Sequence, residues 1–313
     1  MRPEEIPGWI SRALPVPDRT VVWLLDVDDT LTDTQSMHHD AAESLASELS
    51  GSMTTSLAAS VARRFREVFD ELLVLHQQVS TADRAALNSV KELESRVRGH
   101  QVEIQEKWGI TRLFSREILL RIAVEDCGAS LPPKELNRCV DRYWDHMREH
   151  PFVFPDAARF SRRLASHSMP VYLMTSSDAR YRECDDGRFA YDPRVSRKDK
   201  RKRMANLRNH GISYASSFIG DPIDKPSREF YDFVFSGISR DLDTPLQSLS
   251  IVVAGDSYRS DIQTPLEICD STIGVLCRRE QSAVRVEVDR VLSVGDFDML
   301  TRMLDVIEGE DRG

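Results

Sequence analysis

Four aspartates fall within eight positions of the stretch LLDVDDTLTDT: Asp26, Asp28, Asp29 and Asp33. In an extended chain side chains alternate between faces, so Asp26 and Asp28 project from the same one. Two carboxylates held together at the end of an apolar strand repel each other and call for a cation, a shared proton or strong hydrogen bonds. A second acidic segment, AGDSYRSD, carries Asp256 and Asp261 just past the apolar run LSIVVAG. Brought to one place, Asp26, Asp28, Asp256 and Asp261 would form a hard-oxygen site of the kind that suits magnesium. The alternative for either segment alone is a strand followed by an acidic, solvated turn; the recurrence after two separate strands favours a site.

Two further apolar runs end in complementary chemistry. VYLMTSS presents Thr175 and Ser176, hydroxyls able to donate to a phosphate oxygen, and Lys225 follows SSFIGD in the segment DPIDKPSREF. A lysine there can neutralise both a carboxylate cluster and a bound phosphate. Taken singly, Thr175 is an ordinary strand-end polar residue and Lys225 a solvated surface charge. Their weight depends on what positions them.

The runs at 21–27, 171–176, 216–221 and 249–256 are short, apolar at consecutive positions and rich in β-branched or aromatic residues. That pattern suits a parallel sheet covered on both faces. Helical patterns at 156–166, 200–210 and 228–236 separate the last three, and TIGVL (272–276) and DFDMLTRMLDVIE supply one more strand and a last helix. Strand and helix alternate, so the region from 151 onward reads as a doubly wound α/β unit. In such sheets ligands gather beyond the carboxyl ends of the strands, which places all the residues above on one edge.

Residues 35–150 differ. Met53, Leu57, Val61, Phe65, Val68, Leu72, Leu75 and Val79 recur at spacings of three and four, and Val90, Leu93, Val97, Ile104 and Trp108 draw a second apolar stripe. Pro132 and Pro133 open another helix, with Leu136, Val140, Tyr143, Trp144 and Met147 on its apolar face. This all-helical insert follows the first strand directly. Its stripes fit internal bundle packing, or else the seam of a homodimer.

Composition narrows the function classes. The formal net charge of −9 disfavours a general nucleic-acid binder, which needs excess Lys and Arg. No apolar run approaches the length of a membrane span, and MRPEEIPGWISRALPVP lacks the apolar stretch of a signal peptide, so a cytoplasmic location is expected. Five scattered cysteines without CxxC spacing read as reduced thiols.

With these segments in order, the sequence resembles the haloacid dehalogenase superfamily: DVDDT (26–30) for DxDxT, Thr175 after VYLM, Lys225 before Pro226, and Gly255, Asp256 and Asp261 for GDxxxxD. The resemblance covers residues 20 to 308. It implies a Rossmann-like α/β core of residues 1–33 and 151–313, with a helical cap inserted at 34–150. It further implies a phosphate monoester hydrolase that uses Mg2+ and acts on a small phosphorylated substrate, a sugar phosphate or nucleotide. By the same resemblance Asp26 is the nucleophile that forms an aspartyl-phosphate and Asp28 the general acid and base. Asp26, the backbone carbonyl of Asp28 and Asp256 hold the metal, with Asp261 just outside them, and Thr175, Ser176 and Lys225 hold the phosphoryl oxygens. Members that cleave carbon–halogen bonds lack the second aspartate, so Asp28 argues against dehalogenation. A phosphomutase on the same core, or a non-catalytic scaffold whose cap binds a partner, are the competing readings.

Three features depart from the family pattern. The insert is long, Asp29 stands where glycine is common, and an extra polar segment at 181–195 has the look of a hairpin. His38 and His39 at the entry to the insert, and Arg63, Arg64 and Arg66 within it, are candidates for substrate contact, with nothing to select among them. The run RKDKRKR (197–203) reads as a solvated helix face.

Overall fold

The computed structural model describes residues 20–76 and 84–310. The N-terminal MRPEEIPGWISRALPVP and Val79 of the first stripe lie outside the described residues. Strand β1 (Thr20–Asp26) leads into helices α1 (Thr34–Leu49), α2 (Thr55–His76), α3 (Arg84–Gly99), α4 (Val102–Trp108), α5 (Arg116–Asp126) and α6 (Pro133–Glu149). Helix α7 (Pro155–Ser166) and strand β2 (Val171–Ser176) follow, then a hairpin of β3 (Tyr181–Glu183) and β4 (Phe189–Tyr191), and α8 (Pro193–Leu207). The chain continues through β5 (Ser216–Gly220), α9 (Arg228–Asp241), β6 (Leu249–Gly255), α10 (Gln263–Ile268) and β7 (Thr272–Cys277). It closes with β8 (Arg285–Val288), β9 (Val291–Val294) and α11 (Phe297–Glu310).

Seven strands form one sheet in the order β5-β2-β1-β6-β7-β9-β8, parallel throughout except for the β8–β9 pair. The consecutive apolar residues of β1 have a simple cause: both faces are covered. Trp23 and Leu25 join one cluster with Phe160 of α7 and Phe297, Leu300 and Met303 of α11. Val22 and Leu24 point the other way, to Phe230, Val234 and Ile238 of α9. Period-two alternation thus feeds two cores from one strand. The fold is Rossmann-like α/β with a separate helical region, as the apolar runs imply. Only one strand was expected after β6. Strands β8 and β9 were not legible because each has four residues, and those of β8 are exposed.

The chain divides into two compact units. The α/β unit takes in the chain up to Thr34, Pro151–Ser176 and the chain from Met204; the helical unit takes in Gln35–His150 and Ser177–Arg203. The expectation that all of 151–313 belongs to the α/β core therefore differs at residues 177–203. Tyr181, Phe189 and Tyr191 of the β3–β4 hairpin bury themselves in the helical unit's apolar core, and Arg180 binds Glu117 and Asp141 there. The first stripe turns inward, with Val61, Phe65, Val68 and Leu72 all buried in the same core. The second is broken between α3 and α4, so Ile104 and Trp108 belong to a separate short helix. The run RKDKRKR is not wholly solvated: it lies within α8 rather than at the start of a helix, and Lys200 and Arg203 are buried on Asp178. No helix among the described residues is long and apolar enough to cross a membrane. All five cysteines are unpaired.

Candidate active site at the carboxyl edge of the sheet

Asp26 ends β1 and is buried. Register sets it beside Met174 of β2, one residue before Thr175. On the other side Leu25 pairs with Ala254 of β6, so Gly255 and Asp256 follow at the same level. The chain runs outward from β1 through β2 to β5 and then crosses back to β6 and β7. The β1–β6 junction is therefore the point where strand order reverses, the place where open α/β sheets leave a crevice.

Lys225 joins the acids. Its Nζ donates to Asp26 Oδ1 at 2.6 Å and to Asp261 Oδ1 at 2.7 Å. Thr30 Oγ1 donates to the other Asp26 oxygen at 3.0 Å, and Ser257 N donates to Asp261 Oδ2 at 3.0 Å. Carboxylate oxygens of Asp26, Asp256 and Asp261 lie within 4.8 Å of one another. Asp261 reaches this position from a π-helical turn, Tyr258–Ile262, a form common at functional sites. Its carboxylate packs where a side chain on residue 255 would sit, which requires Gly255.

Asp28, two residues on, is half-buried and held from two sides. Thr175 Oγ1 donates to its Oδ2 at 3.2 Å, and Thr34 Oγ1 to its Oδ1 at 3.3 Å. Asp29 occupies the left-handed region at φ 62°, which explains why glycine suits this position, and its Oδ1 accepts from Thr34 N at 3.0 Å. Ser176 donates its hydroxyl to Asp224 Oδ1 at 3.0 Å, an oxygen that also accepts from the Lys225 backbone N–H at 2.8 Å.

The Lys225 ammonium touches two of the three clustered carboxylates, Asp26 and Asp261. Burial pushes Asp26 up to about 7, against the pull of Lys225 and with a further push from Asp261 and Asp28. Asp256 is raised to about 8, first by burial and then by Asp26 and Asp261. Lys225 is itself held charged: burial works against its charge, but Asp26 and Asp261 outweigh it and raise its value well above the ordinary range. The excess negative charge and an all-oxygen donor set fit a hard divalent cation such as magnesium.

Two residues of this framework were not picked out from the sequence. Asp224 ties Ser176 to the segment bearing Lys225, and its position directly before the lysine was the available signal. Tyr231 of α9 donates to the carbonyls of Ser260 and Asp261, at 2.5 and 3.3 Å, and so anchors the π-helical turn. Nothing in the local sequence separates this tyrosine from a core aromatic. Of the candidates in the helical unit, Arg63, Arg64 and Arg66 pair with glutamates, and His39 lies 2.9 Å from Asp70. His38 is fully buried.

No protein-family model matches the sequence, and no curated protein matches it. Solved structures do. YfnB of Bacillus subtilis, assigned as a HAD-hydrolase and bound to magnesium, aligns with a TM-score of 0.53 at 16% identity, over 92% of this chain and 99% of that one. A HAD phosphatase from Thermococcus onnurineus aligns at 0.45 and 12% identity, over 91% and 97%. A 2-haloacid dehalogenase from Pseudomonas syringae aligns at 0.46 and 15%, over 91% and 98%. At 16% identity the likeness to YfnB is one of fold. By its strand order and by that likeness, this chain has the fold of a haloacid dehalogenase-type hydrolase.

Proposed function

We propose that the protein is a phosphate monoester hydrolase of the haloacid dehalogenase superfamily, dependent on Mg2+ and acting on a small phosphorylated metabolite. The observation that supports this best is Lys225 bridging Asp26 and Asp261 beside Asp256 at the sheet's switch point. Asp28, held by Thr175 and Thr34 two residues beyond Asp26, favours phosphoryl transfer over dehalogenation.

In this reading an Asp26 carboxylate oxygen attacks phosphorus, and the bond to the ester oxygen breaks. Asp28 gives its proton to that leaving oxygen. The ionised Asp28 then takes a proton from water, whose oxygen attacks the aspartyl-phosphate and restores Asp26. The nucleophile splits one hard displacement into two easier ones. Thr30 fixes the orientation of the Asp26 carboxylate, and Thr175 that of Asp28. Lys225, with Thr175 and Ser176 beside it, offers positive charge and hydroxyls to the phosphoryl oxygens. Magnesium, held by Asp26, the Asp28 carbonyl and Asp256 with Asp261 behind them, would neutralise charge on the transferring group.

The test is release of inorganic phosphate from a panel of phosphate esters, with magnesium and with a chelator. Release that requires magnesium is expected. Equal release under both conditions rules out the metal's part, and no release from any ester rules out the hydrolase.

A further inference from the structure

Buried cations are costly unless matched by an anion. In the helical unit Lys200 and Arg203 are both buried, and both are matched by Asp178. Arg180 is matched by Glu117, Asp141 and Asp199. Arg116, at the start of α5, is 6% exposed and has no carboxylate partner among the described residues. Its guanidinium lies over the ring of Phe69 at 4.4 Å and near that of Trp144 at 5.7 Å. It donates to the Phe114 carbonyl and, from Nε at 3.1 Å, to the Tyr143 hydroxyl oxygen. Ring faces and neutral oxygens soften a cation's desolvation without cancelling its charge.

Two other groups beside it are unsatisfied. His38 Nδ1 is 2.8 Å from the same Tyr143 hydroxyl, and the His38 ring packs tilted against Phe69 with ring centroids 3.9 Å apart. Arg116 Nε–H can only donate, so the assignment that satisfies all three groups sends the tyrosine proton to Nδ1. The imidazole proton then resides on Nε2, which is buried and has no partner among the described residues. Trp144 Nε1–H, one residue from Tyr143, is likewise buried without one. Burial, followed by the charge of Arg116, holds His38 well below its ordinary value, so it is neutral and keeps this single donor. An unmatched cation and two unmet donors, gathered around Tyr143 and Phe69, are what an oxyanion satisfies.

We propose that the helical unit contains an anion-binding site at Arg116, His38 and Trp144, which takes a carboxylate or phosphate group. It is built from residues of the helical unit alone and does not depend on the hydrolase reading. The chain has four tryptophans, so an indole N–H spectrum of the full chain is simple, and a Trp144→Phe variant identifies its signal. Malonate and inorganic phosphate are titrated separately, with sodium chloride at matched ionic strength as the reference. The Trp144 signal should shift saturably with at least one of the two, and which one tells a carboxylate ligand from a phosphoryl ligand. Arg116→Met should weaken that binding by about tenfold or more, the worth of one charge-assisted hydrogen bond. Arg116→Lys, which keeps the charge and loses the fork, serves if the methionine variant fails to fold, and should also bind more weakly. A Trp144 signal that neither anion moves in the wild-type protein overturns the proposal. So does a shift that survives unchanged in the Arg116 variants.

Discussion

Lys225 Nζ lies 2.6 Å from Asp26 Oδ1, across 199 residues of sequence, and the same nitrogen reaches Asp261 at 2.7 Å. The ammonium is the only positive charge in direct contact with these two buried carboxylates among the described residues. Removing it strands both. Lys225→Met is expected to destabilise the metal-free protein by about 3–5 kcal/mol, the cost of leaving a buried charge without its partner. Urea midpoints measured in the presence of a chelator check this, and an unchanged midpoint would mean that the lysine is solvated rather than structural.

Substitution of the acids should separate folding from chemistry. Burial already raises Asp26, so Asp26→Asn keeps the shape and removes a costly charge. We expect a melting temperature at or above that of the wild type and no phosphate release, and full release by this variant sinks the nucleophile assignment. Asp28→Asn should retain a trace of activity, reduced roughly 10²–10⁴-fold as expected for lost general acid–base help.

Gly255 is required by contact rather than by backbone conformation. A Cβ there would overlap the Asp261 carboxylate and its own Cβ. Gly255→Ala should push Asp261 away from Lys225 and Ser257, lowering stability by about 1–3 kcal/mol as overpacking does. Turnover should fall even though no acid has been altered. A crystal structure of the variant with Asp261 in place and wild-type activity would show that the turn has slack.

His38 makes stability depend on pH in a stated direction. Its folded value is depressed well below 6.5, so the unfolded chain binds a proton that the native chain refuses. The contribution is present above about pH 6.5 and is lost as pH falls, by about 1.4 kcal/mol per unit. His38→Gln should flatten this slope, so the stability gap between the two proteins should narrow between pH 7.5 and about pH 5.5 by roughly 1 kcal/mol. Parallel stability curves for the two proteins would show that His38 takes up its proton in the fold as readily as in the unfolded chain.

Much of the α/β unit was legible because its physics is local. A strand buried on both faces must be apolar at successive positions, and VVWLLDV satisfies that condition in seven residues. Side-chain alternation then sets Asp26 and Asp28 on one face, and the rule for open sheets sends both, with Asp256, Thr175 and Lys225, to a common edge. Other choices depend on partners far away in sequence. A tyrosine at 231 could pack anywhere in a core; only the turn at 258–262 makes it an anchor. The segment 177–203 carries more charge than apolar surface, and its place in the helical unit rests on three buried rings and an arginine that also reaches Glu117 and Asp141 elsewhere in the chain. The arginines of the insert look alike as letters. Arg63, Arg64 and Arg66 met glutamates and Arg116 met rings, because a charge's environment is decided by what the fold brings to it. Sequence alone determined which residues could gather at the sheet edge. Tertiary structure decided which charges were paired there and which were left wanting, since burial and long-range contact set the energy of a charge.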